Sequence, residues 1–240
     1  TNDFLKAYVI KNNAVDFTVV SAANQTNGKG QLGSVWRSNA GENLTFSVYL
    51  STSFLPASYQ FYLNCAVAIA VFNVLNKLLL PQLKIKWPND ILVEGLKSSG
   101  ILMEMSSEAN RIDFVILGIG VNLNVDPSQF PEEFRKTATS LSSHTGTKID
   151  RILFAQRLYR HLEAAMDRHR ARGFDGVRSQ YEALFGMTGK AVRIRDLDGS
   201  ERSGTITGVS EDGALLLEAS TGAIEKVVAG DVTIVKEGQN

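Results

Sequence analysis

Cysteine is almost absent from the 240-residue sequence, proline occurs five times and histidine three, and 25 lysines and arginines exactly offset 25 aspartates and glutamates. The lone Cys65 closes no internal disulfide, and its apolar surroundings make it a small buried hydrophobe rather than a nucleophile. One unpaired thiol fits a reducing cytoplasm, the location expected. His144, His161 and His169 lie too far apart for a recognisable metal spacing. Zero net charge removes any global attraction to DNA or an anionic membrane, so anion binding has to be local. No repeat, low-complexity tract or signal-peptide pattern is visible. The long apolar run over residues 61–80 has the length of a membrane span, but three asparagines and Lys77 interrupt it. A buried core helix from about Ala57 to Leu80 is expected instead, and no membrane partner.

What is present is concentrated in residues 84–105, Lys-Ile-Lys-Trp-Pro-Asn-Asp-Ile-Leu-Val-Glu-Gly-Leu-Lys-Ser-Ser-Gly-Ile-Leu-Met-Glu-Met. Trp87-Pro88 holds the backbone extended before the proline, and Pro-Asn-Asp is turn chemistry, so Asp90 stands at a strand mouth. Gly95 divides two antiparallel strands. Lys97 opens the second. A strict period of two sets it on the face of Ile101 and Met103, an odd place for an ammonium unless an anion meets it; a solvated turn position is the other reading.

A glycine-rich loop, Asn24 to Trp36, follows a strand at Phe17–Ala22. Its backbone N–H groups can wrap a phosphate. Gly28, Gly30 and Gly33 fit the dinucleotide fingerprint, but that motif must open a helix and residues 34–43 show no helical period. The protein-kinase reading fails for want of the other kinase signatures. Residues 43–50 alternate as a half-buried strand, as do 114–124. There Gly118, Gly120, Asn122 and Asn124 share a face, leaving room for a ligand or for a neighbouring helix. Thr1-Asn2-Asp3 reads as the cap of an N-terminal helix, and residues 150–172 as an amphipathic helix ending in solvated basic residues. Beyond about Gly189, short strands alternate with Asp-Gly, Thr-Gly and Gly-Asp turns, the pattern of a small antiparallel barrel.

The spacing Lys-Trp-Pro-Asn-Asp, Lys97 and then Gly-Ile-Leu-Met-Glu resembles the central motif of biotin protein ligases. The glycine loop resembles theirs with Lys29 and Gln31 in place of arginines. The resemblance runs over nearly the whole chain. It implies an α/β (α+β) catalytic domain over residues 1–187 with a mixed, largely antiparallel sheet packed by helices, and an SH3-like β-barrel over residues 188–240. It also implies formation of biotinyl-5′-AMP from biotin and ATP with Mg²⁺, then transfer to a lysine of a biotin carboxyl carrier protein. Carried over by position, Lys97, Lys29 and Asp90 are catalytic. Thr1, Asn2, Gln25, Gly28, Lys29, Gly30, Gln31, Lys97 and Gly100 bind biotin, and Gly30, Gln31, Gly33, Trp36, Lys97 and Asn122 bind ATP or the adenylate. Metal ligands are not assigned. Many relatives dimerise through the catalytic sheet edge.

The rivals are a lipoate ligase, whose Arg-Arg-x-x-Gly-Gly-Gly loop is missing, a truncated ligase and repressor, and a non-catalytic binder of biotin or nucleotide. The sequence contains no DNA-binding helix-turn-helix, so no DNA partner is expected.

Overall fold

Alternating apolar and polar side chains make half-buried strands of β2 (Asn43–Pro56) and β6 (Arg111–Asn122), which pair antiparallel inside a six-stranded sheet. The computed structural model describes residues 1–108, 111–196, 198–228 and 231–235. The other strands of this sheet are β1 (Val19–Ala22), β3 (Lys84–Lys86), β4 (Asp90–Val93) and β5 (Leu96–Glu108). Their order is β1-β2-β6-β5-β4-β3, every pairing antiparallel. β1 starts two residues later than expected, because Phe17 has a positive φ of 63°.

One face of the sheet carries Leu44, Phe46, Val48, Val115, Leu117, Ile119 and Val121 into the core. Helix α2 (Gln60–Asn76) lies against it, with eleven buried residues. The apolar span Ala57–Asn76 is long enough by composition to cross a membrane, yet 61% of it is buried inside the protein, which makes it the expected core helix, ending earlier than Leu80. Helix α1 (Asn2–Lys11) contacts β1, β2 and β6. The short α3 (Leu141–Thr145) precedes α4 (Arg151–Arg172), which is capped by Asp150 and packs on α2. Helix α5 (Val177–Leu184), not anticipated from the sequence, also packs on α2 through Val177 and Tyr181. Burial pushes the Cys65 thiol up, away from thiolate chemistry.

The C-terminal strands are β7 (Ala191–Arg195), β8 (Glu201–Val209), β9 (Leu215–Glu218), β10 (Ile224–Val227) and β11 (Asp231–Ile234). They form a second antiparallel sheet in the order β10-β9-β8-β7-β11. Among the described residues these strands are seen as a five-stranded sheet.

Trp87 ties the two sheets together. Its indole N–H donates to the Gly213 carbonyl at 2.9 Å, across 126 residues of sequence, and its side chain is 3% exposed. The Trp87-Pro88 peptide bond is cis, and Asn64 of α2 donates to the Pro88 carbonyl at 2.8 Å. The turn before Asp90 is thus held from both sides. Trp87→Phe should leave the Gly213 carbonyl without its donor and lower the unfolding free energy by about 1–3 kcal/mol. A urea titration reads this directly, and an unchanged midpoint would show that the junction does not rest on this bond.

Candidate functional site

The register of the sheet decides which residues meet. Lys86 pairs with Asp90, Asp90 with Gly100, Gly100 with Gly120 and Gly120 with Thr45, so these five stand in one row on the face opposite the core. Lys97 joins them through a bulge. Ile91 pairs with Ser99 but Leu92 with Lys97, leaving Ser98 as an extra residue, and its buried hydroxyl donates to the Ile91 carbonyl. The strict alternation that would set Lys97 beside Ile101 and Met103 is therefore broken. Its Cε lies 3.1 Å from where a Cβ on Gly100 would stand.

Lys97 Nζ lies 2.7 Å from Asp90 Oδ1, and 5.7 Å from the ring centroid of Trp36. The Asp90 side chain is 13% exposed and that of Lys97 37%. Asp90 Oδ1 is buried and has no hydrogen bond of good angle, so charge pairing with Lys97 is what compensates for its burial. Asn89 anchors the same turn by donating to the Ile101 carbonyl.

The glycine loop folds back as a narrow hairpin and no α-helix follows it. Trp36 N–H donates to the Gly28 carbonyl, Gly30 N–H to the Ser34 carbonyl, and Ser34 N–H to Gln31 within a single 3₁₀ turn, Gln31–Gly33. These N–H groups are spent within the loop in this state. The hairpin lays the Trp36 indole on the bare backbone: a Cβ on Gly120 would come 2.5 Å from its Cζ2, and one on Gly100 3.3 Å from its Cζ3. Trp36 Nε1 is buried there with no hydrogen-bond partner among the described residues. Lys29 points elsewhere, to Asp3 Oδ1 at 2.7 Å. This hydrogen bond, helped by the charge of Glu104, raises the pKa of Lys29.

Thr1 and Asn2 do more than start a helix. Thr1 makes no side-chain cap; its Oγ1 lies 3.1 Å from Gln25 Oε1. Ser47 Oγ, fully buried, lies 2.6 Å from both Thr1 Oγ1 and Asn2 Oδ1, and Asn2 Nδ2 donates to Glu104 at 2.6 Å. The two glycines of β6 thus admit different neighbours. A Cβ on Gly118 would come 2.6 Å from Asn2 Oδ1, whereas Gly120 lies beneath Trp36.

Asn122 is buried and already engaged. It accepts from Asn43 Nδ2 at 2.9 Å and donates to the Thr139 carbonyl at 3.1 Å. None of these residues lines the open concavity of about 520 Å³ beside Glu42, Asn124, Ser142 and Lys148. The glycine face is instead filled by Trp36 and the start of α1.

Residues 1–122 match the model of the biotin/lipoate A/B protein ligase family, and residues 188–235 that of the biotin protein ligase C-terminal domain. The chain is 36% identical over 223 residues to the bifunctional ligase/repressor BirA of Bacillus subtilis (strain 168), covering 93% of this chain and 68% of that protein. It is 32% identical to the biotin–[acetyl-CoA-carboxylase] ligase of Mycobacterium tuberculosis, covering 97% and 84%. The chain belongs to the biotin protein ligase family. Among solved structures, it is similar to a biotin protein ligase from Aquifex aeolicus in complex with biotin and ATP. The TM-score is 0.79 at 27% identity, covering 99% of this chain and 95% of that one.

Two parts of the site carried no recognisable chemistry in sequence. Residues 137–139 run beside Lys97: its N–H donates to the Thr137 carbonyl and its carbonyl accepts from Thr139 N–H, at 2.8 and 2.9 Å. The Thr139 hydroxyl meets His144 at 2.9 Å, and His144 lies 3.4 Å from Glu94 at the tip of the β4–β5 hairpin. The other is Ser47 with Glu104, hidden in ordinary strand alternation.

Gly120→Ala places a methyl group inside the Trp36 ring position. The indole should leave the sheet, shifting the tryptophan emission to the red, while Trp87 stays buried as an internal reference. An unshifted spectrum would mean that the sheet, not the loop, gives way.

Proposed function

We propose that this chain forms biotinyl-5′-AMP from biotin and ATP and passes the biotinyl group to a lysine of a biotin carboxyl carrier protein. The observation that carries the reading is the convergence of Lys97, Asp90 and Trp36 over the side-chain-free backbone of Gly100 and Gly120. In the first step a biotin carboxylate oxygen attacks the α-phosphorus, and the bond to the pyrophosphate oxygen breaks. In the second, the carrier amine attacks the acyl carbon, AMP leaves with the bonding pair, and the amine gives up a proton.

Both steps gather anions, so the catalytic work is positioning and charge neutralisation. Lys97 leaves Asp90 for the carboxylate and phosphate, and Lys29 leaves Asp3 to add a second positive charge. Asp90, freed of its partner, accepts the proton of the incoming amine. Thr1, Asn2, Gln25, Gly28, Gly30, Gln31 and Gly100 surround biotin. The loop opens its hairpin so that the backbone of Gly30, Gln31 and Gly33 meets the adenylate, Trp36 rises to pack on the nucleotide, and Asn122 borders it. Rearranged over the adenylate in this way, the loop keeps water from the anhydride.

Among the described residues no three His, Cys, Asp or Glu side chains converge as a metal cage. Mg²⁺ accompanying ATP would offset the charge of the phosphates there. Residues 1–187 form the catalytic domain and 188–240 an SH3-like module, a reading supported by five short antiparallel strands and by the match over 188–235. Homodimerisation through the catalytic sheet edge, no DNA partner and a cytoplasmic location complete the proposal.

Incubation with ATP, Mg²⁺ and either biotin or lipoate, followed by mass spectrometry, should yield biotinyl-AMP alone. Lys97→Ala should cut its formation by at least about 10²-fold; an unaffected rate removes Lys97 from the mechanism, and lipoyl-AMP would overturn the substrate.

Gln31 is neutral where much of the family has arginine. Gln31→Arg should slow release of free biotinyl-AMP by about tenfold, the worth of one charge-assisted hydrogen bond. Equal release from both proteins would show that position 31 does not hold the intermediate.

A further inference from the structure

Glu104 belongs to no step above, yet it ends the hydrogen-bonded chain that runs under the proposed biotin seat. The order is Glu104, Asn2, Ser47, Thr1 and Gln25, and Gln25 Nε2 reaches to 2.6 Å from the Cβ position of Gly28 in the loop. Four of its links join residues from α1, β2, β5 and the segment after β1.

We infer that Glu104 is a positioning residue that fixes the polarity of this relay and so presents an oxygen lone pair, rather than a proton, to the bound acyl group. The inference rests on the biotin reading of the site. A carboxylate only accepts, so Asn2 must turn its NH₂ to Glu104 and its Oδ1 to Ser47. An amide oxygen carries no proton, so the single Ser47 proton fills the 2.6 Å contact to Asn2. The equally short contact between Ser47 and Thr1 must then hold the Thr1 proton. Every hydroxyl proton thus runs toward Glu104, and the Thr1 hydroxyl has none left for Gln25. Gln25 Oε1, 3.1 Å from Thr1 Oγ1, instead accepts from the Thr1 nitrogen at 3.2 Å, and the Thr1 hydroxyl oxygen keeps a lone pair for an outside donor. A reversed amide would set its NH₂ against the Thr1 N–H, so Oε1 stays toward Thr1. The chain therefore ends in an acceptor, the lone pair of the Thr1 hydroxyl. A cyclic urea supplies the N–H that such an end recognises; a dithiolane ring, with no N–H, leaves it unpaired, which is how a buried polar group rejects the wrong ligand.

Glu104→Gln keeps the shape and removes the polarity, because an amide can give or accept at the same place. The expected result is a rise of about tenfold in the KM for biotin with kcat changed less than about threefold, the signature of lost ligand binding without lost chemistry. Ser47→Ala cuts the relay in the middle and should give the same split, and Glu104→Gln added to Ser47→Ala should cost no further factor. Circular dichroism melting of each variant confirms that it is folded before kinetics are compared. An unchanged KM in Glu104→Gln, a fall in kcat of the same size as the rise in KM, or multiplicative effects in the double variant would overturn the relay. Failure of the wild-type chain to make biotinyl-AMP would instead overturn the biotin reading, so the two failures are told apart in the same experiment.

Discussion

Everything at the site depends on a close approach that only bare backbone permits. Gly100 and Gly120 face each other across β5 and β6, and the Trp36 ring and the Lys97 stem occupy the volume that two methyl groups would fill. Gly118, one pair further along, makes the same room for Asn2. A sheet usually meets its ligands through side chains; here it withdraws them, so segments from elsewhere in the chain deliver the chemistry onto its surface. That division explains why the polar residues come from the loop, from α1 and from the bulge, while the opposite face is continuous aliphatic packing. The sheet face sets how closely other segments approach, and the loop, α1 and the bulge set what is presented there.

The central motif serves two structures at once. Asp90 and Lys97 face the glycine row, but Trp87, three residues before Asp90, is buried at the junction with the second sheet and donates to Gly213. Gly213 in turn has no room for a side chain against Phe61 of α2. The turn carrying Asp90 is therefore fixed by contacts from α2, from β5 and from the C-terminal sheet. A displacement at that junction has only the Pro88–Asn89 turn between it and the carboxylate. Such short, fully bonded linkages transmit a shift rather than absorb it.

Much of this was legible in residue order. The alternation of β2 and β6, the core character of α2, the glycine face and the strands of the C-terminal sheet all follow from periodicities that local physics enforces. What could not be read depended on partners far away in sequence. Ser98 looks like any strand residue until the register shows it bulged, and only that bulge carries Lys97 across to the glycine face. Thr1 looks like a helix cap, but its hydroxyl turns to Gln25 and Ser47 instead. Residues 137–139 lack charge altogether; their main chain, not their side chains, holds Lys97. The loop's glycines suggested free amides, yet a hairpin has already spent several of them on itself.

The Lys97–Asp90 pair shows why the site can be both set and yielding. With Asp90 mostly buried and Lys97 more than a third exposed, the pair lies between the surface and interior limits. Fully buried, it would be costly to break, since parting it would strand an unpaired charge in the interior. Fully exposed, it would hold the ammonium by only about 0–1 kcal/mol and give it no fixed place. At the margin, Asp90 orients the lysine over the glycine row, and in the proposed reaction an anion carrying both a carboxylate and a phosphate draws it away. In the proposed reaction that exchange leaves Asp90 without its cation as the carrier amine arrives with a proton to lose.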